Sequence, residues 1–198
     1  MWAFIVDDMH TTTTTPHDPT PRHRHPEDRR AEEYQPQALT PDELRHIRRV
    51  QRAIRRRSFA VLSSVSSAGF AHAAGVVYDS IDTTIFVHTM RTSRKARNIA
   101  ANSRVGLVIP VRRLPVGPPF TVQFQAHAEL LAMDHPEITT LLERKSLKTI
   151  SGHGALDEPD GCFNRIVPNG LVHTYGIGVS TIDLVRDPLH TGARSVRF

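Results

Sequence analysis

Five cations fall between residues 91 and 104 (Arg91, Arg94, Lys95, Arg97 and Arg104), with no acid among them. Thr89, Thr92 and Ser93 add hydroxyl groups at the same place. The run sits where a strand pattern ends and a helical one begins, so the free N–H groups of a helix start join the set. Charge-assisted donors, small hydroxyls and a helix N-terminus together are the chemistry of phosphate binding. A nucleic-acid strand would want aromatics between the cations for stacking, and Thr89 to Arg104 contains none. No Gly-x-Gly-x-x-Gly run follows a strand and no Walker-type loop occurs; Gly152-His153-Gly154 is too short to count. No Ser/His/Asp set, paired acids or metal triad occurs at useful spacing.

The elements that must position this segment can be read outward from it. Phe59 to Val65 reads as a strand, Ser66 to Gly69 as a turn, and Phe70 to Tyr78 as a returning strand. Asp79 to Asp82 turns again into a third strand, Thr84 to Thr89. Ser93 to Asn102 suits a short helix with Ala96, Ile99 and Ala100 as its apolar stripe. Val105 to Val111 is a fourth strand, and Arg112 to Pro119, with three prolines, is a loop or lid. Phe120 to Leu130 alternates apolar and polar residues without a break, which predicts a strand with one wet face. Asp134 is the expected cap of a helix running to about Leu147. Phe163 to Pro168 and Leu171 to Tyr175 are expected to form a last hairpin around Asn169-Gly170. Upstream, Thr40-Pro41-Asp42-Glu43 is a helix start with cap, first-turn proline and capping-box acid.

Length and composition set the frame. The chain has 198 residues, 25 Lys and Arg against 20 Asp and Glu, and one cysteine, Cys162. One cysteine excludes an internal disulfide framework and a zinc site built from several thiolates. The excess charge is concentrated: seven arginines against two acids from Pro41 to Arg57, and the five cations of Arg91 to Arg104. The first patch reads as the solvated face of a helix packed on the fold. Residues 1–39 hold five consecutive threonines and no apolar period after Val6, so a disordered N-terminal tail is expected. Its His17, His23 and His25 form a weak metal-binding candidate at most. A folded domain is expected over 40–180, and a polar C-terminal tail over 181–198. No secretory signal or run of about 18 apolar residues occurs. The expectation is a soluble cytoplasmic protein, starting at Met1 or Met9, with no nucleic-acid or membrane partner.

Six or seven largely antiparallel strands with short helices predict a mainly β fold with α additions. The segments Phe59 to Val65, Gly69 to Tyr78, Ile85 to Thr89 and above all Ser93 to Val105 resemble the pyridoxamine 5′-phosphate oxidase-like split-barrel superfamily. The resemblance spans about residues 45 to 176. It implies a split β-barrel (an FMN-binding split barrel) and a homodimer with cofactor at the subunit interface. It also implies FMN or the deazaflavin coenzyme F-420 as cofactor, and a flavin- or deazaflavin-dependent oxidoreductase acting on a small-molecule substrate. Ser93, Arg94 and Lys95 match the phosphate-binding positions, with Thr89 and Arg91 nearby. Ala74, Gly75, Val76 and Val77 match the strand along the cofactor ring. The Arg-x-x-x-x-Lys pattern on the second strand and the C-terminal Arg-x-His of true pyridoxamine phosphate oxidases are absent, so vitamin B6 chemistry is not implied. Tyr78 and His88 are candidate proton donors. Two alternatives stay open: a haem-binding or haem-degrading split barrel with His88, His127, His153 or His173 as axial ligand, and a non-catalytic flavin-binding module.

Overall fold

Every strand pairing in the domain is antiparallel, and one long strand organises the rest. A computed structural model describes residues 39–111, 120–152 and 154–198. Residues 39–198 form one compact unit. Helix α1 (Pro41–Arg55) precedes strands β1 (Phe59–Val65), β2 (Ala71–Val77), β3 (Asp79–Ile81) and β4 (Thr84–Met90). Helix α2 (Arg94–Ala101), β5 (Arg104–Val111) and β6 (Phe120–Ala132) follow, then helices α3 (Pro136–Glu143) and α4 (Lys148–Ser151). Strand β7 (Gly161–Tyr175), short helices α5 (Thr181–Arg186) and α6 (Pro188–Thr191), and β8 (Ala193–Arg197) complete the chain. The strand order is β2-β1-β5-β6-β7-β4-β3, with β8 also on β7. This is the split β-barrel with short helices that the sequence predicts.

The core follows from the alternation already visible in β6. Phe120, Val122, Phe124, Ala126 and Ala128 are buried, while Gln123, Gln125, His127 and Glu129 face water. Helix α1 covers part of the same core with Val50 and Ile54, and α2 with Ala96 and Ile99. The predicted capping box of α1 forms: Thr40 N–H donates to Glu43 Oε2 at 2.8 Å, and Glu43 N–H donates to Thr40 Oγ1 at 3.3 Å. The arginine-rich face of α1 is exposed, apart from Arg57, which is half-buried. A second, smaller core joins Phe86, Leu131, Ile138, Leu147, Ile150 and Phe163. No helix among the described residues is long and apolar enough to cross a membrane.

Several expectations need correction, the first being the turn expected at Asp79 to Asp82, where Asp79–Ile81 instead forms strand β3 against β4. The hairpin at Asn169-Gly170 is instead the middle of one continuous strand. Phe124 pairs with Val172 and Ala126 with Pro168, so both halves of β7 run antiparallel to the same partner, β6. The extra residues bulge out, with Gly170 at φ +87°. Residues 181–198 are not a tail. Strand β4 pairs with β7 only up to Ile166, and β8 takes the same strand from Leu171 to Tyr175. The helix expected to run to Leu147 stops at Glu143, and Lys145 at φ +54° reverses the backbone before α4 starts. Its cap is His135 rather than Asp134. The N-terminal tail, the Arg112 to Pro119 loop and His153 lie outside the described residues.

Candidate functional site

A cleft lies beside strand β2, at one end of the strand order. Strand β2 ends the strand order, so among the described residues its outer backbone edge has no strand partner. The cleft is lined by Gly75, Val76 and Val77 of β2, Val87 and His88 of β4, Lys95 of α2 and Ile150 of α4, and has a volume of about 230 Å³. Its walls carry four branched apolar side chains and no carboxylate. Phe59 on β1 closes in on the outer side of β2: a Cβ at position 75 would lie 3.0 Å from the Phe59 ring. Glycine at this position is therefore what leaves room for that aromatic ring.

Lys95 reaches the cleft because α2 starts where β4 ends. Ser93 caps the helix, its Oγ accepting from Ala96 N–H at 3.3 Å. The same hydroxyl pairs with Thr89 Oγ at 3.1 Å, which fixes the end of β4 to the first turn of α2. Deeper in, Asn98 Nδ2 donates to buried Ser64 Oγ at 3.0 Å and ties α2 to β1. Helix α2 has no acid in its first turn, so the positive end of its dipole is unneutralised by its own residues.

The predicted site residues divide accordingly. Gly75, Val76, Val77 and Lys95 line the cleft. Ala74 pairs with Leu62 on β1 and is not one of its walls. Thr89 and Ser93 hold the turn, and Arg91 and Arg94 are exposed beside it. Sequence reasoning missed Val87 and Ile150, and it missed an acid. Asp160, far along the chain, accepts from Thr92 N–H at 3.0 Å and Thr92 Oγ at 2.8 Å. Those two hydrogen bonds, with Arg91 nearby, hold its carboxyl below the usual range. The cationic turn thus carries one built-in negative charge.

Of the candidate proton donors, His88 faces the cleft and Tyr78 does not. Tyr78 is fully buried and its hydroxyl donates to the Ile54 carbonyl at 2.8 Å. Burial pushes its phenol far above the ordinary value, so it is a tie between strand and helix rather than an acid. His88 lies edge-on to Phe163, with ring centroids 5.3 Å apart. Burial lowers its pKa; Glu158 opposes this and Lys95 adds to it. His127 and His173 are exposed on the far strands, and His173 pairs with Ser195 at 2.8 Å.

Comparison with known proteins agrees with this architecture. Among solved structures, the haem storage protein HutZ of Vibrio cholerae is similar, with a TM-score of 0.55 at 16% identity, covering 72% of this chain and 98% of that one. A haem-binding protein from Mycobacterium smegmatis gives a TM-score of 0.58 at 15% identity, covering 81% and 60%. An FAD-binding protein from Mesorhizobium loti gives 0.50 at 18% identity, covering 68% and 92%. At these identities the likeness is one of fold. No curated protein matches the chain. The pyridoxamine 5′-phosphate oxidase family model matches residues 47–161, a stretch that takes in β1 to β6, α2 and every wall of the cleft, and with more than half of its length matched the chain belongs to that family.

Proposed function

We propose that the protein is an oxidoreductase that holds FMN or the deazaflavin coenzyme F-420 in the cleft between β2, β4 and α2. The observation that carries this is the mixed lining of the cleft. Four apolar side chains line it beside a strand edge that is unpaired among the described residues, and Lys95 of α2 is the one cation in its lining. A flat apolar ring with a hydrogen-bonding edge fits the first, and a phosphate fits the second. When bound, such a ring supplies hydride transfer. The chain's own part is to anchor the phosphate through Lys95, with Arg91 and Arg94 adding field. Val76, Val77, Val87 and Ile150 keep water from the ring.

The proposal includes a homodimer. A cleft of about 230 Å³ is below the roughly 300 Å³ at which ligand pockets begin. One chain then supplies only part of the walls. Phe59, Phe70, Val77 and Met90 are exposed apolar side chains on β1, β2, the turn between them and the end of β4. A second copy placed there would cover them and complete the cleft.

Titration of the purified protein with FMN and with coenzyme F-420 tests the reading. Micromolar binding of either supports it; binding of neither sinks it. Stopped-flow reoxidation of the reduced complex separates an enzyme from a binding module. Haem is the second reading, favoured by His88 in the cleft and by the fold likeness to haem-binding proteins. A Soret band lost in His88→Ala would promote it.

A further inference from the structure

His88 is the one cleft residue that carries a buried polar atom without a partner, its Nε2. The surroundings of that nitrogen are specific. At Gly161, the residue that opens β7, a Cβ would lie 2.9 Å from His88 Nε2 and 3.0 Å from the Glu158 carbonyl. Glycine has a hydrogen in that direction, so a Cα–H points at Nε2. The Met133 sulfur, 3.3 Å from the same point, and the Phe163 ring close the rest, and no hydrogen-bond partner reaches Nε2. The ring as a whole is half-buried and lines the cleft, so Nδ1 is the nitrogen left to meet a ligand.

We propose that His88 is held as the neutral Nδ1–H tautomer, and that it donates this hydrogen bond to an uncharged acceptor, a carbonyl oxygen or ring nitrogen, on the cleft's ligand. A lone pair on Nε2 complements the Gly161 Cα–H. An N–H there would meet that hydrogen head-on and be a buried donor with no acceptor. The imidazolium needs N–H at both nitrogens, so the enclosure disfavours it as well. Lys95, on α2, works in the same direction, while Glu158, in the loop before β7, works against it. Two residues of the cleft then read different chemistry: Lys95 reads an anion, and His88 reads a neutral acceptor. His88 would be a specificity-determining residue, and Gly161 its positioning residue. This inference deepens the cofactor reading above and its ligand half rests on it.

Two measurements test it. Long-range ¹H–¹⁵N spectra of the ligand-free protein, with the His88 signals identified by their loss in His88→Asn, read the tautomer directly. An Nδ1–H pattern that persists below the ordinary histidine pKa of about 6.5 is expected. An Nε2–H tautomer, or an imidazolium at pH 7, would overturn the proposal. FMN affinity reads the second half. His88→Leu should weaken FMN about five- to tenfold, the effect of one neutral hydrogen bond. His88→Asn, which keeps an N–H donor, should lose less, and Gly161→Ala should lose as much as His88→Leu because its Cβ displaces the ring. Competition by inorganic phosphate should be unchanged in all three. An unchanged FMN affinity in folded His88→Leu would refute the donor role. If the wild-type protein binds neither FMN nor coenzyme F-420, the donor role falls with the cofactor reading, and the tautomer spectrum tells that failure from the other.

Discussion

Asp79 on β3 holds Ile150 in the wall of the cleft, although 71 residues separate them. Its carboxylate accepts from Ile150 N–H at 2.9 Å and from Thr149 N–H at 3.2 Å. Helix α4 is one turn long and has no side-chain cap of its own at Leu147, so this carboxylate satisfies the amides that a short helix leaves open. Asp79→Ala should therefore lower stability by about 1 kcal/mol, as loss of a cap does. It should also weaken cofactor binding by loosening Ile150. Asp79→Asn should recover part of both. Urea unfolding and FMN titration on the same samples check this, and a full-strength cofactor complex in Asp79→Ala would separate α4 from the site.

The two cationic patches make opposite predictions. Lys95→Ala should weaken FMN or coenzyme F-420 binding by at least tenfold, since it removes a charge-assisted contact within the cleft. Arg48→Ala, on the exposed face of α1, should leave affinity within twofold. Equal losses would reduce both to a general field effect and remove the phosphate assignment from Lys95. Raising the salt from low to physiological levels separates the cases further, because exposed charges are screened over about 8 Å at that ionic strength.

How far the sequence could be read depended on whether the deciding partner was local. The Thr40 capping box, the β6 alternation and the Ser93 helix start are decided by residues within a few positions, and all three form. Asn169-Gly170 was ambiguous in principle. A tight turn and a bulge both want a glycine at positive φ, and only pairing of both halves with β6 decides between them. Strand β8 buries little besides Val196, so it has almost no period of its own. The edge of β7 beyond Ile166, which β4 leaves open, is what makes it a strand. The site divides in the same way. Lys95 stood out by residue type and position, whereas Gly75, Val76 and Val77 were pointed to only by the family resemblance. Asp160 on Thr92 and Asp79 on α4 are long-range contacts with no local trace.

Tyr78 supplies a control for the chemistry. Its hydroxyl reaches the Ile54 carbonyl in the last turn of α1, which also accepts from Arg57 N–H at 3.3 Å. Tyr78→Phe should cost about 1 kcal/mol through that buried hydrogen bond. Cofactor affinity and any turnover should stay at wild-type levels. A large loss of turnover without loss of stability would restore Tyr78 as a proton donor and contradict its buried position.

Acid should loosen the seat of α1 through His46. This side chain is 1% exposed, and its Nε2 lies 3.2 Å from Thr174 Oγ. Thr174 Oγ donates to the Arg194 carbonyl at 3.3 Å, so at this contact His46 Nε2–H is the donor. Its Nδ1 is buried without a partner. Burial, then Arg194 and Arg49, lower its pKa, and Asp42 opposes them. The sign follows from proton uptake. With the folded pKa below the unfolded value of about 6.5, the unfolded chain binds more protons in the interval between them. Stability is then full above about pH 6.5 and falls as the pH drops toward and through the folded pKa; His88, lowered as well, adds in the same direction. His46→Gln, which keeps an N–H donor without titrating, should be less stable than wild type at pH 7.5 and should close that gap by pH 5. Urea midpoints of the two proteins across this range check the prediction, and a constant gap would show that His46 does not titrate on unfolding.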